Sequence, residues 1–206
     1  MYVTRHSQVT DADMLERLWQ LYDIAYTPVS VEAPSHEMLF RDEFEDVVAD
    51  SANRLWVLWD DSSPIAMCLI ATEIGPSRYL SRSFFEHRFP DQSRRQVVHY
   101  IMWLVVHPAA TTTGAVARLA KEVLQREAAD GALLVFDVPQ VHQQSMTGGF
   151  AEIMARMARS FVGPAPVVHL GTQYYFAVDF SDLVPLVGND ADDTQVLEVP
   201  SAAGQP

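Results

Sequence analysis

Few side chains in this sequence are placed to move a proton near neutral pH. His99 lies within the apolar run Gln96–His107, and a histidine titrates close to neutrality unless its surroundings shift it. Glu73 ends the preceding apolar segment and could face the same cleft. Either could serve as a base that frees a nucleophile of its proton. Either could also be a hydrogen-bonded core or surface group. If strand pairing is regular, side chains alternate, and His99, Ile101, Trp103, Val105 and His107 share one face. Cys68, the only cysteine, sits inside an apolar run and reads as an inert buried thiol. There is no H-E-x-x-H, no paired cysteine motif, no G-x-S-x-G and no full P-loop, and no histidines at i, i+4. The pattern therefore implies no metal.

The elements that would position these groups centre on Gln96–Pro139. Gln96–His107 is a nearly unbroken apolar run rich in valine and aromatics, the pattern of a strand buried on both faces. Pro108 ends it, because proline cannot donate to a ladder. Thr111, Thr112, Thr113 and Gly114 follow as a tight loop. Val116, Leu119, Ala120, Val123 and Leu124 then fall on one face of a helix over Thr113–Ala129. Gly131 stands where a helix-ending glycine belongs, and Ala132–Val138 reads as a second buried strand closed by Pro139. Strand, loop, helix and strand make a βαβ crossover. Its loop offers unpaired N–H groups at a helix start, which suits phosphate.

The order Val106-His107-Pro108, then Thr111, Gly114 and Val116 ahead of a helix, resembles the acyl-CoA-binding core of the GNAT superfamily of N-acyltransferases. Thr111 falls at that family's Arg/Gln position, Gly114 at its first glycine and Val116 at its last Gly/Ala. The resemblance implies a three-layer α+β fold: a central, mixed, twisted sheet of about seven strands with helices on both faces. It implies acetyl-CoA or another acyl-CoA, or a carrier-protein thioester, as donor. Backbone near Val105 and Val106 would hold the donor's arm, and Thr111, Thr112, Thr113, Gly114, Ala115 and Val116 its phosphates. A small-molecule amine would be the acceptor, met by Tyr26 and Trp103. The glutamate and tyrosine that such enzymes often use are missing from the equivalent strand and helix, which leaves His99 and Glu73 as substitutes. The second reading is a GNAT-fold binding or regulatory module that has lost catalysis.

The remaining chain fits that order. Met14, Leu15, Leu18, Leu21, Tyr22 and Ala25 predict a helix up to Pro28, capped near Thr10–Asp13. A loop over Thr27–Pro34 follows, and then a second helix, capped by Ser35, carries Leu39, Phe40, Phe44, Val47 and Val48. Arg54–Trp59 and Ile65–Ile74 predict a hairpin. Ser77–Ser93 combines arginines with Tyr79, Phe84, Phe85 and Phe89. It reads as a lid over an anionic ligand, a homodimer contact or a solvated insertion. A helix over Thr147–Phe161 precedes a last hairpin, Val167–Leu170 with Tyr174–Phe180. Residues 1–187 would form one domain and 188–206 a disordered acidic tail.

Composition narrows the partners. The 206 residues are 49% hydrophobic and 20% charged, with a formal net charge of −13. That balance excludes nonspecific nucleic-acid or anionic-membrane binding, which needs concentrated Lys and Arg. No apolar run reaches the roughly 18 residues a membrane span needs and no leader opens the chain, so a cytoplasmic protein is expected.

Overall fold

The apolar run at the centre of the sequence becomes β4, Val98–Val106, and everything else is laid against it or its neighbours. In the computed structural model, which describes residues 1–30, 38–75, 80–112, 114–139 and 149–173, five strands form one sheet in the order β1-β2-β3-β4-β5. β1 is Tyr2–His6, β2 Asn53–Asp60, β3 Ser63–Ala71 and β5 Leu133–Val135. The first four pair antiparallel and β5 runs parallel to β4, so the sheet is mixed as expected. The sheet has five strands where about seven were expected. Val167–Leu170 is irregular, so that strand is absent. Tyr174–Phe180, the loop Val141–Thr147 and the tail lie outside the described residues.

α1, Ala12–Ser30, starts where predicted: the Asp11 carboxylate accepts the Met14 amide at 2.9 Å, a side-chain cap. It runs past Pro28, because a proline in the last turn removes only one hydrogen bond. Thr27–Ser30, expected to begin the loop, is therefore helical, and Tyr26 lies on the same helix. α2, Arg41–Ala49, begins beyond Phe40, whose amide donates to Glu43 at 2.9 Å; Ser35 falls outside the described residues. Leu18, Leu21, Tyr22, Phe44 and Val48 close one face of the sheet against Leu55, Val57, Met67 and Leu69.

The other face is covered by α5, Ala115–Asp130, through Ala115, Leu119 and Val123. α6, Phe150–Phe161, packs on α5. The described part of the Ser77–Ser93 stretch forms α3, Arg82–Arg88, and α4, Pro90–Arg94, which runs one residue beyond it. Phe85 is buried against Val98, Tyr100 and Val135, while Arg82 pairs with Glu86 and Arg94 with Asp91. Two of that segment's arginines are thus used locally. No described helix is long and apolar enough to cross a membrane.

Gly131 ends α5 at φ +64°, with its amide on Ala128 and the Ala132 amide on Glu127, each at 3.0 Å. A side chain there would be strained by the left-handed backbone and would meet the Arg95 guanidinium at 2.9 Å. Gly131→Ala should therefore lower unfolding stability by about 1 kcal/mol in urea denaturation, with an unchanged slope.

Candidate functional site: the parting of two parallel strands

β4 and β5 are paired at only three positions, Val98 with Leu133, His99 with Leu134 and Tyr100 with Val135. β4 continues for six residues to Val106, but β5 stops. Among the described residues, the outer edge of Ile101–Val106 has no strand beside it. An edge of this kind presents main-chain N–H and C=O groups to whatever enters.

β4 carries a bulge where it opens. Leu69 pairs with Trp103 and Ile70 with Ile101, which leaves Met102 as the extra residue. The bulge breaks the alternation, and the shared face predicted for His99, Ile101, Trp103, Val105 and His107 is corrected. Ile101, Leu104 and Val106 point to the α5 side, whereas Trp103 and Val105 join the α1 and α2 side. Trp103 lies with Tyr22 at 5.5 Å and Phe44 at 6.0 Å, and Tyr22 stacks on Tyr26 at 5.0 Å. Tyr26 and Trp103 are thus ends of one aromatic run. The Trp103 indole N–H is buried with no partner among the described residues.

At the far end of β4 the chain makes a single 3-10 turn, Pro108–Ala110, and then bends through Gly114 at φ +76° into α5. His107 accepts the Ala109 amide on its ring at 3.2 Å, so its side chain caps the turn. The Thr111 hydroxyl donates to the Pro108 carbonyl at 3.0 Å, folding back on the loop instead of reaching over it. No side chain caps the head of α5, and nothing lies within 4 Å of where a Gly114 side chain would start. Thr111, Thr112 and Gly114 are exposed and Val116 is half-buried; Thr113 lies outside the described residues. The helix head is open to a ligand and carries the positive end of the helix dipole.

His99 is not at this opening. It is 3% exposed, under α5, with its Nδ1 bonded to Glu127. Arg54, from β2, donates to Glu127 at 3.0 Å and to Asp130 at 2.7 Å, and Arg126 reaches Asp130 at 2.9 Å. Burial alone would raise the Asp130 carboxyl, but the Arg54 hydrogen bond and charge, with Arg126 and His99, hold it below the ordinary range. His99, Glu127 and Asp130 bring ligand atoms within 4.8 Å of one another, as a metal would need. The Arg54 guanidinium already bonds both carboxylates, so the cluster carries its own cation. Burial, with the Glu127 charge nearby, raises the Cys68 pKa, and the thiol stays inert as expected. Glu73 is exposed, two residues beyond β3 and level with the start of β4, at the opposite end from the loop.

The residues that do stand where the strands part are Tyr100 and Asp137. The Tyr100 hydroxyl donates to the Asp137 carboxylate at 2.8 Å, immediately above the last β4–β5 pair. Tyr100 is buried and Asp137 exposed. Sequence reasoning missed both, although a carboxylate and a proline ending an apolar strand mark a place where a strand leaves its sheet.

No protein-family model and no curated protein sequence matches this chain. Solved structures do. An aminoglycoside acetyltransferase, meta-AAC0020, from an uncultured soil metagenomic sample in complex with sisomicin superposes with a TM-score of 0.51. It is 12% identical, over 86% of this chain and 96% of that one. The chain has the GNAT fold. A transcriptional regulator from Bacillus halodurans C-125 is also similar, at 17% identity and TM-score 0.50, over 85% of this chain and all of that one.

The buried charge cluster couples α5 to the sheet and so sets where that helix head sits. Glu127→Ala would leave Arg54 and His99 facing each other without their shared carboxylate. Unfolding stability should fall by about 3 kcal/mol, measured by chemical denaturation. Asp130, with its depressed pKa, adds stability that is present above its unfolded pKa and lost as pH falls through the folded one. The Arg54→Met variant should lose that acid-side dependence.

Proposed function

We propose that this chain is an acyltransferase that moves an acyl group from acyl-CoA to a small-molecule amine. The single observation carrying the reading is the conjunction of an unladdered β4 edge with an uncapped helix head at the end of the same strand. A donor of this kind has an extended amide-bearing arm and a phosphate-rich end, and those two surfaces complement them in that order. The Ala115 and Val116 amides at the α5 head would take phosphate, with Gly114 leaving room for close approach. Main-chain groups of Ile101–Val106 would hold the arm, and Ile101 and Leu104 border an apolar crevice completed by Leu119, Val123 and Met154.

A thioester supplies an activated acyl carbon; the chain must supply an amine free of its extra proton. Asp137 is the exposed carboxylate at the apex, and it would accept that proton directly or through one water. The Tyr100 hydroxyl fixes the carboxylate and can relay a proton to a departing thiolate. His99, sequestered with Glu127, is then a positioning residue for α5. Tyr26, half-buried at the end of the aromatic run, would face the acceptor, with Tyr22 and Trp103 packed behind it. The net charge of −13 favours a cationic acceptor by long-range attraction.

The second reading, a GNAT-fold module without catalysis, draws on the sequestration of His99 and on the likeness to a transcriptional regulator. The two separate on turnover. With acetyl-CoA and a panel of amines, the enzyme should release free thiol, and a module should bind donor without releasing any. Gly114→Asp places a negative charge at the helix head in a residue that tolerates the left-handed backbone. Acetyl-CoA affinity should fall by about 10-fold or more in calorimetry, with folding intact. Asp137→Asn should lower turnover about 100-fold at unchanged donor affinity. Unaltered turnover would remove Asp137 from the mechanism.

A further inference from the structure

At the opposite edge of the sheet from the parted strands, β1, the end of β2 and α1 enclose a concavity of about 240 Å³. It is lined by Tyr2, Thr4, His6, Met14, Arg17, Trp59 and Ser62. The lining is ordered by its own bonds. The Trp59 indole N–H donates to the Thr4 hydroxyl at 2.7 Å, and that hydroxyl is 2.8 Å from His6 Nε2. Burial lowers the His6 pKa.

Arg17 is the decisive residue. Its guanidinium stands over the Trp59 ring, 5.5 Å from the centroid, and donates to two main-chain carbonyls, Asp13 at 3.3 Å and Ser62 at 3.0 Å. Carbonyls orient a guanidinium without neutralising it. Among the described residues no carboxylate lies within 4.0 Å of it, in a chain holding 27 acidic residues against 14 basic ones. A fixed cation with donors to spare, over an aromatic wall, complements a planar anion. Tyr2 stacks on Trp59 at 6.4 Å and 18° and is 53% exposed, so a large flat surface lines the mouth.

We infer that this concavity is a second ligand site, for a small aromatic carboxylate held by Arg17 and stacked against Tyr2. Strand β3 lies between β2, which lines the concavity through Trp59, and β4, the nearer of the parted strands, so the site is distinct from the donor site and does not depend on that reading.

The test is an NMR titration of the full chain, reading the Trp59 indole N–H with sodium benzoate, sodium acetate and benzyl alcohol as probes. Benzoate should shift that signal saturably. Acetate, which lacks the ring, and benzyl alcohol, which lacks the charge, should each bind at least about 10-fold more weakly. Arg17→Gln, at an exposed helix position, should weaken benzoate by about 10-fold or more, and Tyr2→Ala by a smaller factor. No saturable shift with benzoate, unchanged affinity in Arg17→Gln, or acetate binding as tightly as benzoate would each overturn the assignment.

Discussion

β5 stays with β4 for three residue pairs and then leaves, and the rest of the architecture follows from that early departure. Had Phe136 and Asp137 continued the ladder, β4 would be an ordinary interior strand with its main chain consumed on both sides. Instead the edge of Ile101–Val106 is offered up, and the helix that returns the chain begins at the end of that edge. The Tyr100–Asp137 bond stands at the fork. A single side-chain contact thus ties the direction of the departing chain to the strand it departs from.

What keeps the helix head in register with that edge is the charge cluster beneath α5. Arg54 on β2, His99 on β4 and Glu127 with Asp130 on α5 join three elements across the sheet. Buried ion pairs contribute little net stability compared with apolar packing, but they penalise misplacement heavily, because each half is costly alone. Leu119 and Val123 would tolerate small slides of α5 along the sheet, whereas this cluster would not. Rigid placement is what a site made of main-chain amides needs, since such groups cannot adjust by changing rotamer.

Much of the framework could be read from punctuation. Pro108 ends β4's run, Gly131 ends α5, and both act where their backbone restrictions say they should. The unpaired helix head follows from Gly114 being the N-cap residue, which brings no side chain to cap it. The bulge at Met102 was not legible. It is set by register against β3, and nothing in the local run distinguishes Met102 from its neighbours. One extra residue was enough to put Trp103 on the face opposite His99. The charge cluster was half visible: Glu127 follows Leu119 and Val123 at i+4 and i+8, so a carboxylate sat on the buried stripe. Its partners could not be named, since Arg54 is 73 residues away and His99 is 28. Val167–Leu170 is irregular although its valines favour a strand, and it pairs with no strand among the described residues.

The most direct measurement is an amide NMR titration of the isotopically labelled chain with coenzyme A. The largest saturable shifts should fall on the Ala115 and Val116 amides and along Ile101–Val106, with Tyr100 and Asp137 moving at the fork. Shifts confined to other surfaces, or none at coenzyme A concentrations well above the millimolar range, would contradict a donor site between the parted strands.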